Sequence, residues 1–169
     1  MLIIEDGTGK ADSQSYVTVD EYKVFAQLRG FTVPSSDDEI ERILILAVDL
    51  TEAEDRYGGR KTKSTQSLKF PRSGLLLDCE KFPSDAIPKQ IKLAQMHLAA
   101  AAADGVVLQP VISGNAADYV IKEKVDVIET EYADPTKFSG TATFTAVDAL
   151  LKELFNGGGT AFSFKVRRG

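Results

Sequence analysis

A chain of 169 residues with 43 % hydrophobic and 27 % charged residues has room for one domain with its own core. Its formal charge of −5 excludes a protein that coats nucleic acid over its whole surface, so any phosphate contact must be local. One cysteine, Cys79, and one histidine, His97, exclude an internal disulfide and the usual zinc ligand sets.

No apolar run approaches the roughly 20 residues needed to cross a bilayer, and residues 1–6 lack the basic flank and apolar core of an export signal. Synthesis in a cytoplasm and no membrane partner are therefore expected. After a turn at Asp6-Gly7-Thr8-Gly9, Thr18 and Glu21 form a capping box that opens a first helix over about 19–29. Val19, Tyr22, Phe25 and Ala26 share its inner face, Leu28 lies at the margin, and Gly30 is the stop.

Ser36 and Glu39 repeat the capping box before a second helix whose first turn is acidic, as the helix dipole favours. Ile40, Ile43, Leu44, Ala47, Val48 and Thr51 follow helical spacing, with Leu46 and Leu50 widening the stripe towards a stop at Gly58-Gly59. Ile45 falls outside that arc and is either an ordinary exposed residue or a candidate subunit contact. Pro88 is expected to be the first residue of a third helix, in which Ile91, Ala94, Leu98, Ala101 and Ala102 make a face of small side chains suited to close helix contact. Asp104-Gly105 ends it.

Between 119 and 132, β-branched residues alternate imperfectly with charges, which reads as one strand or a strand pair. Val125 and Val127 fall on one face, and Val120, Ile128 and Tyr132 on the other. Thr145 is the expected cap of a last helix carrying Val147, Leu150, Leu151, Leu154 and Phe155 in one stripe. Gly157-Gly158-Gly159 then frees an arm in which Phe162, Phe164 and Val166 alternate with polar residues, as in a strand seeking a partner. The expected architecture is mainly α: about four helices with a β segment over 1–156, then a hinge and extended arm over 157–169.

Two segments imitate phosphate loops, Gly7-Thr8-Gly9-Lys10 and Gly58-Gly59-Arg60-Lys61-Thr62, but neither keeps the glycine, lysine and hydroxyl spacing that nucleotide binding needs. His97 with Ser73 or Asp85 lacks the loop patterns of a nucleophilic triad, so it is expected to be an ordinary helix-surface histidine. No catalytic residue, cofactor or metal is expected. Charge is distributed unevenly: residues 56–72 hold Arg56, Arg60, Lys61, Lys63, Lys69 and Arg72 with no acid, while 118–134 hold six acids against Lys122 and Lys124. These are either solvated loops or complementary faces, and the basic loop is a candidate contact for a partner or for DNA. Tyr57 and Phe70 stand where they could stack on bases.

The order Tyr16-Val17, then Asp55-Arg56-Tyr57-Gly58-Gly59-Arg60-Lys61, then Ser67-Leu68-Lys69-Phe70-Pro71-Arg72-Ser73-Gly74 resembles tailed-phage head-tail connector proteins. Ile87-Pro88 before the alanine-rich helix, Lys122-Glu123-Lys124-Val125, Glu129-Thr130-Glu131-Tyr132 and Val147-Asp148-Ala149-Leu150-Leu151 extend the likeness over about 16–155. Phe70 stands where that family usually has tryptophan. The resemblance implies a non-enzymatic virion subunit, assembled as a ring of about twelve copies beneath a portal protein. It would join a tail or neck protein and let packaged DNA pass through the lumen. Glu123, Asp126, Glu129 and Glu131 would line that lumen, since acids repel phosphates. Ile45, Phe162, Phe164, Val166, Arg167 and Arg168 would bond to the portal or to other subunits. Some sequences of this type are likened instead to the single-strand binding protein DnaT, which implies single-stranded DNA binding as the alternative function.

Overall fold

The first helix, α1 (Val19–Arg29), starts and stops where its caps place it. Thr18 Oγ1 accepts the Glu21 N–H at 3.0 Å, Glu21 Oε2 accepts the Thr18 N–H at 2.8 Å, and Gly30 closes the helix at φ 69°. This computed structural model describes residues 2–108, 122–125, 128–131 and 144–155, the two middle stretches as backbone. It is mainly α, with four helices and three small two-stranded antiparallel sheets among the described residues. The chain divides into two units, Met1–Leu108 with Phe144–Gly169, and Gln109–Thr143.

In the larger unit, α2 (Asp37–Glu52) opens on Ser36, whose Oγ accepts the Glu39 N–H at 3.1 Å. Ile40, Ile43, Leu44, Ala47, Val48 and Thr51 are all buried, as their spacing predicts. Leu46 is not: it follows Leu44 by about 200° around the axis and is 50 % exposed, while Leu50 is half-buried. Ile45, expected to project, is half-buried at the edge of the covered arc. The helix ends at Glu52, short of Gly58, because Tyr57 turns back into the core and donates its hydroxyl to the Thr51 carbonyl at 2.8 Å.

β1 (Arg60–Lys61) pairs with β2 (Arg72–Ser73), and β3 (Leu76–Leu77) with β4 (Glu80–Lys81). The second hairpin turns through Asp78 and Cys79 at φ 51° and 66°, the paired positive angles of a two-residue turn that usually takes Asn-Gly. A side chain in that region costs about 1 kcal/mol. Cys79→Gly is therefore expected to raise the thermal midpoint by a few degrees in calorimetry. An unchanged or lower midpoint would show that the turn carries no strain.

Pro88, extended at ψ 140°, precedes α3 (Lys89–Ala103) as its cap and is not its first helical residue. α3 packs against α2, α4 and α1, with Ile91, Ala94, Leu98, Ala99 and Ala100 buried, so the small residues do permit close approach. Ala101 and Ala102 are half-buried. Gln95 sits fully buried among them. Its Oε1 accepts the Tyr16 N–H at 3.1 Å, and its Nε2 donates to Ser15 Oγ at 2.7 Å and to the Leu44 carbonyl at 3.0 Å, so one amide ties three segments together.

His97 is half-buried, edge-on to Phe25 and Phe31 at centroid distances of 5.0 and 5.9 Å, and is thus no ordinary surface histidine. Burial, with help from Arg29, lowers its pKa below 6.5. A depressed imidazole pKa means that the unfolded chain binds the proton more readily. Stability is complete above pH 6.5 and falls as pH drops through the folded-state value. Half-buried Glu52, whose pKa is raised, acts in the opposite direction nearer its own range. A proton NMR titration of this single imidazole should give a midpoint below 6.5. A midpoint at or above 6.5 would contradict the packing.

α4 (Thr145–Lys152) has Phe144 at its cap position with no side-chain bond; Thr145, the expected cap, is already helical. Val147, Leu151 and Leu154 are buried, Leu150 and Phe155 half-buried. In the smaller unit, β5 (Lys122–Val125) and β6 (Ile128–Glu131) form a hairpin in which Val125 stands opposite Ile128. Simple alternation had put those two on opposite faces, but it restarts across the two residues between the strands. No described helix is long and apolar enough to cross a membrane.

Candidate nucleic-acid interface

The basic loop is built from the inside out. Phe70, joined to Pro71 by a cis peptide, is fully buried; it meets Tyr57 at 5.0 Å and Tyr16 at 6.2 Å between ring centroids. Tyr57 is 2 % exposed. Neither ring can stack on a base, which corrects the expectation from sequence. Tyr16 donates its hydroxyl to Glu52 Oε1 at 2.6 Å and accepts the Phe70 N–H at 3.1 Å, while Glu52 Oε2 accepts the Lys69 N–H at 2.7 Å. Burial raises the pKa of both Glu52 and Tyr16.

Four of the six basic side chains are bound by the protein itself. Arg72 donates to the carbonyls of Gly58, Gly59, Tyr57 and Lys69, and partial burial lowers its pKa, so it clamps the two glycines of the loop. Lys69 bonds Asp55 Oδ1 at 2.6 Å and the Glu54 carbonyl. Arg56 pairs with Glu54, whose pKa falls to about 2 through bonds from Arg56, and lies 4.3 Å over the Phe155 ring. Lys61 reaches the Gln66 and Ser67 carbonyls at 3.2 Å each, but the residue remains exposed.

Arg60 and Lys63 are exposed and make no polar side-chain contact among the described residues. They flank Lys61 at the outer turn of the β1–β2 hairpin, which Gln66 holds in shape: its Oε1 accepts the Lys63 N–H at 2.9 Å and its Nε2 donates to the Leu68 and Pro71 carbonyls. Sequence reasoning missed Gln66, Gln95 and Glu52, because an isolated polar residue carries no sign of burial.

Both phosphate-loop imitations are filled from within. Glu5, 1 % exposed, accepts the N–H groups of Gly7, Gly9 and Lys10 at 2.8–2.9 Å and the Ser13 hydroxyl at 3.1 Å. That carboxylate occupies the place an anion would take. Gly58 N–H donates to the Leu154 carbonyl at 2.8 Å, and a Cβ on Gly59 would fall 2.4 Å from the Ser73 oxygen. Among the described residues no group of three His, Cys, Asp or Glu could hold a metal ion.

Of the proposed acidic lining, Glu129 and Glu131 stand opposite Lys124 and Lys122 in the β5–β6 register and Glu123 opposite Thr130; Asp126 lies outside the described residues. Phe162, Phe164, Val166, Arg167 and Arg168 also lie outside them.

Residues 1–169 match the family described as "Putative DnaT-like ssDNA binding protein", and the chain belongs to that family. No curated protein and no solved structure matches it.

Proposed function

We propose, from membership of the DnaT-like family, that this protein holds single-stranded DNA by its phosphate backbone, without catalysis and without base stacking. Support comes from the family's description, and one observation carries the manner of binding: Arg60 and Lys63 stand exposed beside Lys61 with no polar partner among the described residues, while the aromatic residues nearest to them in the loop are buried. Cations without a stacking platform recognise charge spacing and not base identity. A labelled deoxythymidine strand and an abasic strand of equal length should bind equally well at low salt. Loss of binding to the abasic strand would show that bases are contacted, against this reading.

The second reading is a head-tail connector subunit, forming a ring of about twelve copies against portal and tail proteins in a virion. Burial of Tyr57 and Phe70 favours it, since it needs no base contact and a shape-based adaptor would spend its aromatic residues on the core. Native mass spectrometry with and without a portal ring separates the two. Defined rings with negligible DNA affinity would favour the connector, whereas DNA binding by dispersed subunits would favour the first reading.

A further inference from the structure

α1 and α3 ascend side by side: Lys92 Nζ meets Glu21 Oε1 at 3.3 Å near their starts, and Phe25 meets His97 further along. Between them lies an open groove of about 500 Å³. Its walls are apolar, from Val24 and Phe25 on α1 and Leu93 and Met96 on α3, and Val24 is 56 % exposed. The ends differ in charge. At the start Lys92 pairs with Glu21, which leaves Asp20 as the acid with no salt bridge among the described residues, and Arg29, its guanidinium 4.0 Å over the Phe25 ring, marks the far end.

We infer that this groove receives residues 160–168 of a second copy of the chain. In this arrangement Phe162 and Phe164 lie over Val24, Phe25, Leu93 and Met96, and Lys165, Arg167 and Arg168 reach the end marked by Asp20. The segment matches the groove in both respects: alternate apolar residues for the walls and a basic end for the acidic one.

Direction decides which copy supplies it. Gln90 Nε2 donates to Glu153 Oε2 at 2.8 Å, so α4 ends beside the start of α3, at the acidic end of the groove. A segment entering there from its own chain would carry its basic residues, which follow the phenylalanines, towards Arg29. That sets like charge against like. Entering from the other end would require residues 156–160 to run the length of α1 first. Eleven helical residues span about 16 Å, a distance that five residues reach only at full extension, about 17 Å. A second copy can approach from the Arg29 end without that constraint.

The test is disulfide trapping in the full chain with Cys79→Ser. One population carries Val24→Cys and the other Phe164→Cys, which shares the groove-facing side with Phe162, mixed under mild oxidation. Asp12→Cys, exposed and away from the groove residues in sequence, replaces Val24→Cys as the collision control. The expected result is a cross-linked dimer formed at least several-fold faster than with the control, and slowed when Asp20→Lys is added. Three outcomes would overturn the assignment: a yield no better than the control, a yield indifferent to Asp20→Lys, or a chain carrying both cysteines that closes on itself without dimer, which would make its own segment the occupant.

Discussion

Phe70→Ala is expected to lower stability by about 3–5 kcal/mol, a large share of the 5–15 kcal/mol that holds a typical domain together. Three consequences combine. The ring is fully buried between Tyr16 and Tyr57, so its removal opens a cavity in the centre of the core. The Phe70 N–H that donates to the Tyr16 hydroxyl survives the substitution, but Tyr16, which donates to the half-buried Glu52 carboxylate, loses the ring it packs against. Finally, Phe70 supports Arg72, whose guanidinium lies 5.9 Å from the ring and holds Gly58 and Gly59. Urea unfolding should show a much lower midpoint. A loss below about 1 kcal/mol would mean that the loop is not built on this ring.

Replacing Arg60, Lys61 and Lys63 together with alanine is expected to weaken single-stranded DNA binding at low salt by about tenfold or more, which is about 1.4 kcal/mol, while the thermal midpoint moves little. These residues are exposed, and among the described residues only Lys61 makes side-chain hydrogen bonds, to two loop carbonyls. Arg72→Ala should do the reverse, lowering the midpoint through the four carbonyls it leaves without a donor. A fluorescence anisotropy titration of both variants, paired with thermal melts, distinguishes the classes. If the triple variant binds as tightly as the parent, the hairpin turn is not the DNA contact.

The helices were legible in the sequence because their signals are local. Thr18, Glu21 and Gly30 bracket α1, and the six buried positions of α2 follow from a 3.6-residue period. The misread positions depend on partners far along the chain. Leu46 looks like core until the arc covered by α3 is known, and Tyr57 ends α2 only because its hydroxyl finds the Thr51 carbonyl. The basic loop was visible as a cluster of charges. Its division into clamps and exposed cations was not, because Arg72 and Lys63 differ in what surrounds them and not in their local spacing. Glu5 was hidden for the same reason: only the folded turn shows that a carboxylate fills the nest of amides.

The most direct measurement of the central claim, that exposed cations of one hairpin turn grip phosphates and nothing else, is the affinity for single-stranded DNA across a salt series. Three cations on single-stranded DNA predict a slope of log affinity against log salt of about −2, identical for strands of different base composition and close to zero after the triple substitution. A salt-independent affinity, or no binding even at the lowest salt, would contradict it.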